Sequence, residues 1–108
     1  MKKTRILAAL LAVSLVLPLS GCSKKNETIK IGAVDPLTGG QAVFGQDSIN
    51  GKKMAVEELN ANGGVLGKQI ELISEDDAGQ AAQAATVATK LITQDKVVAI
   101  AGAHGSSS

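Results

Sequence analysis

The chain has 108 residues, 11 Lys+Arg, 10 Asp+Glu and a formal charge of +1 at pH 7. Three of the cations, Lys2, Lys3 and Arg5, fall within residues 1–21, so the remainder carries eight lysines against ten carboxylates, about −2. With no basic stripe, one aromatic residue (Phe44) and no tyrosine or tryptophan, the composition excludes nucleic-acid binding by a cationic, stacking surface.

Residues 1–21 read as a leader rather than as part of a fold. The three early cations precede an uncharged apolar run from Ile6 to Leu17, and Leu19-Ser20-Gly21 leads to Cys22. That order is a secretory signal. The run is about a dozen residues, short of the roughly 20 that a spanning helix needs. Cys22 is the single cysteine of the chain. A lone cysteine in an exported chain is either an incidental free thiol or a site of chemistry. Leu-Ser-Gly-Cys resembles the bacterial lipobox, in which cleavage leaves the cysteine N-terminal and diacylated. Two or three acyl chains on one residue anchor a soluble domain stably, where one does not. Residues 22–28 are then the lipidated cysteine and a short polar tether.

Residues 29–108 alternate between strand and helix patterns. Ile29 to Val34 begins with alternation and turns apolar on both sides, as in a strand buried on two faces. Asp35-Pro36 stops it, because proline has no amide hydrogen for the ladder. Leu37 to Gly45 reads as a loop containing Phe44. Asp47 or Ser48 is placed to cap a helix, with Ile49, Met54, Ala55, Val56 and Leu59 opposite Lys52, Glu57 and Glu58. Asn60 to Gly64 ends it, with glycine for the left-handed residue beyond. Gln69 to Glu75 is a second strand, and Gln80 to Gln94 an alanine-rich helix with Ala81, Ala84, Ala85, Ala88, Leu91 and Ile92 at helical spacing. Val97 to Ala101 is a third, uncharged strand, followed by a small-residue loop from Gly102 to Ser108.

The order β-α-β-α-β, with crossovers long enough for helices, predicts parallel strands and right-handed connections. The fold class is α/β, half of a doubly wound parallel-sheet lobe. The first strand is expected between the other two, with the helices on opposite faces.

In open parallel sheets ligands lie beyond the carboxyl ends of the strands. The loops there are Asp35 to Phe44, Asp76 to Gly79 and Gly102 to Ser108. The last offers close backbone approach, free amides and three hydroxyls. A helix beginning at its serines would attract a carboxylate; the plainer reading is a glycine-serine loop that only caps a helix. Gly67-Lys68 lacks the glycine and hydroxyl of a phosphate-binding loop and sits in helix-loop-strand order, the reverse of a phosphate cradle. Glu75-Asp76-Asp77 reads as a solvated strand end, since three consecutive residues cannot all face one ion. His104 has no partner set for zinc or a nucleophile. No metal or cofactor is expected.

These residues resemble periplasmic binding proteins of the leucine/isoleucine/valine-binding type, type 1 fold, over Ile29 to Ser108. Pro36-Leu37-Thr38-Gly39 with Ala42-Val43-Phe44-Gly45 is similar to P-L-[ST]-G-x-x-A-x-x-G. Gly51, Ala55, Asn60, Gly63-Gly64 and Gly67 are similar to N-G-x-x-x-A…N-x-x-G-G-x-x-G, and Asp76-Asp77 and Val97 to Ser108 follow in order. The resemblance implies a two-lobed protein closing on a small solute, such as an amino acid, and delivering it to an ABC permease, with this chain an incomplete first lobe. It implies that Phe44 touches the ligand and that Ser106, with Ser107 beside it, binds the ligand carboxylate. Where some relatives carry cysteines in two of these loops, this chain has Gly79 and Gly105, so no disulfide joins them.

The expected function is therefore an extracytoplasmic solute-binding lipoprotein of an ABC importer, held at the membrane by Cys22. The alternative is a ligand-sensing domain of the same fold in a receptor or regulator, which the lipobox disfavours. An enzyme of the doubly wound class lacks support, since no nucleophile–base pair, metal set or dinucleotide fingerprint is present.

Overall fold

The computed structural model describes residues 27–102. Strand β1 (Ile29–Asp35) leads to helix α1 (Ala42–Ala61), strand β2 (Ile70–Asp76), helix α2 (Ala81–Lys90), a wide helical turn (Leu91–Asp95) and strand β3 (Ala99–Ala101). The sheet order is β2-β1-β3, and both pairings are parallel. The ladder reaches one residue before β3, where the Val98 amide donates to the Lys30 carbonyl at 2.9 Å.

Neighbouring residues of a strand point to opposite faces, which separates the two helices. Val34 packs with Ala84, Val87 and Leu91, and Glu75, its register partner on β2, pairs with Lys90 of α2. Asp35, one residue on, pairs instead with Lys52 of α1. The helices therefore cover opposite faces, as expected when the strand order reverses around β1.

The helix faces differ from the sequence expectation. Helix α1 begins at Ala42, so Asp47 and Ser48 lie in its interior, and Gln41 precedes it without a side-chain cap. Phe44 and Gly45 are thus helical rather than part of a loop. Gly45 allows this early start: a Cβ there would lie 2.1 Å from the Pro36 carbonyl oxygen, so only glycine lets the first turn press on the end of β1. The inward stripe is Gly45, Ile49, Lys52, Val56 and Asn60, while Met54 and Leu59 face out. Lys52 points inward because Asp35 is buried and its charge requires a partner there. Asn60 points inward to grip β2: its side chain donates to the Ile70 carbonyl at 2.8 Å and accepts from the Ile70 amide at 2.7 Å.

Helix α1 ends as its glycines imply. Gly63 and Gly64 donate to the Asn60 and Leu59 carbonyls, both glycines have positive φ, and a Cβ on Gly64 would lie 2.0 Å from the Lys68 carbonyl oxygen. On α2 the buried residues are Ala84 and Val87, with Leu91 on the following turn, whereas Ile92 is 57% exposed. Ala84, Val87 and Leu91 lie at regular helical spacing, which seats Leu91 under β1, and the wide turn follows over Leu91–Asp95. Burying a leucine fully stabilises by about 1.5–3 kcal/mol.

The Lys52–Asp35 pair generates a prediction. Lys52 Nζ lies 2.8 and 2.6 Å from the two Asp35 oxygens, and the Asp35 side chain is 1% exposed. Removing one partner of a buried pair strands the other charge, which costs about 3–5 kcal/mol. The Lys52 end is 22% exposed, so water offsets part of this. Lys52→Ala in the full-length protein is expected to lose about 3 kcal/mol, while Asp35→Leu combined with Lys52→Met recovers most of it. Urea unfolding of the three proteins measures this; a Lys52→Ala protein as stable as wild type contradicts it.

Candidate functional site

All three strands end at one edge of the sheet, at Asp35, Asp76 and Ala101. The β1–α1 and β2–α2 loops meet there, and Asp76 joins them. Its Oδ1 accepts from the Leu37 amide at 2.8 Å, the Thr38 amide at 3.3 Å and the Ala78 amide at 2.8 Å, and its Oδ2 accepts from the Thr38 hydroxyl at 2.5 Å. One carboxylate thus fixes the start of both loops. Asp77 is fully buried beside it. Its Oδ1 accepts from the Gly79 amide at 2.8 Å, and its own amide donates to the Asp35 carbonyl at 3.1 Å. Its Oδ2 has no hydrogen-bond partner among the described residues.

This corrects the reading of Glu75-Asp76-Asp77 as a solvated strand end. The carboxylates are structural: Glu75 pairs with Lys90, Asp76 gathers loop donors, and Asp77 lies under the loop it caps. A carboxylate following a strand and preceding Ala-Gly is the sequence signal for such a cap, and the Thr38-Gly39 loop supplies the other donors only because register places Asp35 beside Asp76.

Phe44 stands on the first turn of α1 at this edge, with 62% of its surface exposed. Its amide donates to the Gln41 carbonyl at 3.0 Å. Gly102, the last described residue, packs on Val34: a Cβ would lie 2.7 Å from the Val34 carbonyl oxygen. Ser106, Ser107 and His104 lie outside the described residues, as does Cys22. Among the described residues no group of three or more His, Cys, Asp or Glu side chains could hold a metal, and no helix is long and apolar enough to cross a membrane. A solvent-open concavity lies at the opposite, amino edge of the sheet, lined by Glu27, Thr28, Ile29, Lys30, Lys68, Lys96 and Val98. It is remote from the strand-end loops and lacks their convergent amides.

Comparison with known proteins agrees with this geometry. The periplasmic binding protein family matches residues 28–108. An amino acid binding protein of Pseudomonas aeruginosa is 42% identical over 98 residues, covering 91% of this chain and 26% of that protein. The branched-chain amino acid transporter substrate binding protein LivJ from Streptococcus pneumoniae, solved in complex with isoleucine, superposes with a TM-score of 0.69 at 44% identity, covering 71% of this chain and 22% of its own. A solute binding protein of an ABC transporter from Rhodopseudomonas palustris, solved in complex with 3,4-dihydroxybenzoic acid, gives 0.61 at 38% identity, covering 68% and 20%. The chain spans about a quarter of the curated relative and about a fifth of each structure. It belongs to the periplasmic binding protein family.

The hydrogen bond from Thr38, followed by the amides of Ala78, Leu37 and Thr38, holds the Asp76 carboxyl below its ordinary value of 3.8, outweighing partial desolvation, which acts the other way. A carboxyl depressed on folding contributes stability that is complete above its unfolded value and is lost as pH falls through the folded value. The loop junction is therefore expected to hold at neutral pH and to loosen only below about pH 4. Hydrogen exchange at the Leu37, Thr38 and Ala78 amides of the full-length protein reads this directly. Asp76→Ala should remove the protection at neutral pH; unchanged protection in that variant contradicts the junction.

Proposed function

We propose that this member of the periplasmic binding protein family is the amino-terminal part of an exported solute-binding lipoprotein that supplies an ABC permease. The solute is an amino acid or a related small carboxylate. The observation that carries the reading is the strand-end edge, where Asp76 rigidifies two loops beside Phe44 and the chain leaves β3. The isoleucine complex of LivJ and the dihydroxybenzoate complex of the Rhodopseudomonas protein support a small carboxylate as the ligand class.

In this reading Ser106 donates its hydroxyl to the solute carboxylate, with Ser107 beside it, and Phe44 packs on the solute's apolar part. A second lobe, contributed by further sequence, closes over the solute. Binding and release carry no covalent chemistry, so the protein has no catalytic residue. Export uses residues 1–21, and acylation of Cys22 holds the mature protein at the membrane, on its extracytoplasmic face.

Two measurements on the full-length protein check this. A hydrogen bond to a charged group is worth about 1.5–3 kcal/mol, or roughly ten- to a hundredfold in affinity. Calorimetric titration with a panel of amino acids and aromatic acids should show Ser106→Ala weakening the best solute by that factor. Unchanged affinity for every solute that binds removes Ser106 from the site. Cys22→Ala should release the protein from the membrane or stall its processing; a variant still membrane-bound and cut before residue 22 removes the anchor.

A further inference from the structure

We infer that Gly45 is a positioning residue for the solute: by seating the first turn of α1 directly on Pro36 it fixes where Phe44 stands, and so how strongly the site favours a large apolar group. The inference rests on the reading of Phe44 as a residue that packs on the solute.

Glycine is costly inside a helix, because it loses more backbone freedom on folding than any other residue. Helix α1 contains two, Gly45 and Gly51, and their surroundings differ. A Cβ at Gly51 would meet nothing within 4 Å. A Cβ at Gly45 would lie 2.1 Å from the Pro36 carbonyl oxygen, 2.6 Å from its carbonyl carbon and 3.1 Å from the ring Cδ. The contact requires glycine at one of the two positions, and that position adjoins Phe44.

Pro36 does not yield to such a contact. It is buried, and the residues on either side of it are held. Asp35 has both carboxylate oxygens on Lys52, and its carbonyl accepts from the Asp77 amide at 3.1 Å. Leu37 donates its amide to Asp76 at 2.8 Å. An added methyl group therefore displaces the helix rather than the loop. Carbon–oxygen contacts begin at about 3.3 Å, so the displacement is about 1 Å.

The rest of α1 does not follow. Ile49 is buried, Lys52 is held by Asp35, and Asn60 grips both backbone groups of Ile70. These contacts all lie beyond Gly45 along the helix, so the helix pivots about them and its first turn shifts. Phe44 moves with that turn, while the loops held by Asp76 keep their place. A gap of about 0.5–1 Å already removes a quarter to a half of a packing contact. A solute group seated against Phe44 loses that much, and a solute without such a group loses little.

Calorimetric titration of the full-length protein tests this. The probes are leucine against alanine and benzoate against acetate, two pairs of carboxylates that differ in apolar size. The proteins are wild type, Gly45→Ala, Gly51→Ala, Phe44→Ala and the Gly45→Ala/Phe44→Ala double variant. Gly45→Ala should weaken the larger member of the pair that binds by about four- to fifteenfold, as for one or two buried methylene groups, and the smaller member by much less. Gly51→Ala should bind as wild type. In the Phe44→Ala background, Gly45→Ala should change affinity by less than about twofold. Hydrogen exchange at the Ile70 amide should be unchanged in Gly45→Ala, since only the first turn moves. Phe44→Ala with unchanged affinity for every probe removes Phe44 from the site and the inference with it, and a protein that binds none of the four ends the small-carboxylate reading and the inference together. Where Phe44→Ala weakens binding, a Gly45→Ala protein that binds as wild type overturns the inference alone. So does equal weakening of both members of a pair, or a Gly45→Ala effect that persists without Phe44. A Gly45→Ala protein that loses protection at Ile70, or does not fold, overturns it as well, because the first turn then does not move independently of the contacts beyond it.

Discussion

Four consecutive residues of β1, Gly32 to Asp35, are buried, and this governs the rest of the described structure. A strand buried at consecutive positions must be covered on both faces and paired on both sides. Pairing comes from β2 and β3, and cover from the two helices. The close approach needs small residues. Gly32 admits Leu91, whose Cδ1 would lie 2.8 Å from an added Cβ, and Ala33 is fully buried. The last of the four is a carboxylate, so the helix over that face must bring a cation. Lys52 of α1 fulfils a demand set 17 residues earlier.

Asp35 and Asp76 sit side by side in register, and the fold accommodates these like charges by different means. Asp35 meets an ammonium, and that pair ties a helix to the sheet. Asp76 meets three amides and a hydroxyl, and those dipoles tie loop to loop. An ion pair tolerates some play, because Coulomb attraction falls gradually with distance. A set of hydrogen bonds to backbone amides fixes loop conformation, because each depends on angle as well as distance. The edge that a solute would approach is held by the stricter of the two. Loops already fixed before binding lose less freedom when a ligand arrives.

Strands and topology were legible in the sequence because they depend on local pattern. Alternation marked β1 and β2, Asp35-Pro36 marked the end of β1, and crossover length marked parallel pairing. The faces of the helices were less legible. Treating charge as outward placed Lys52 on the wrong side of α1, since its partner lies on another element and its burial follows from strand parity. Treating Asp47 and Ser48 as caps delayed α1 by several residues, since what permits the early start is the contact between Gly45 and Pro36. The acidic run was read as solvated for a similar reason: the donors that satisfy Asp76 come from Leu37 and Thr38, nearly 40 positions away. Phe44 was legible as a residue of the strand-end edge by its place in the family pattern, though not as a helical one.

A parallel sheet separates its two ends more completely than an antiparallel one. Every strand is entered at one edge and left at the other, so the loops leaving the strands, where ligands bind, cannot share an edge with the segment that leads into β1. An anchor placed before β1 is therefore at the end remote from the binding edge, whatever the side chains.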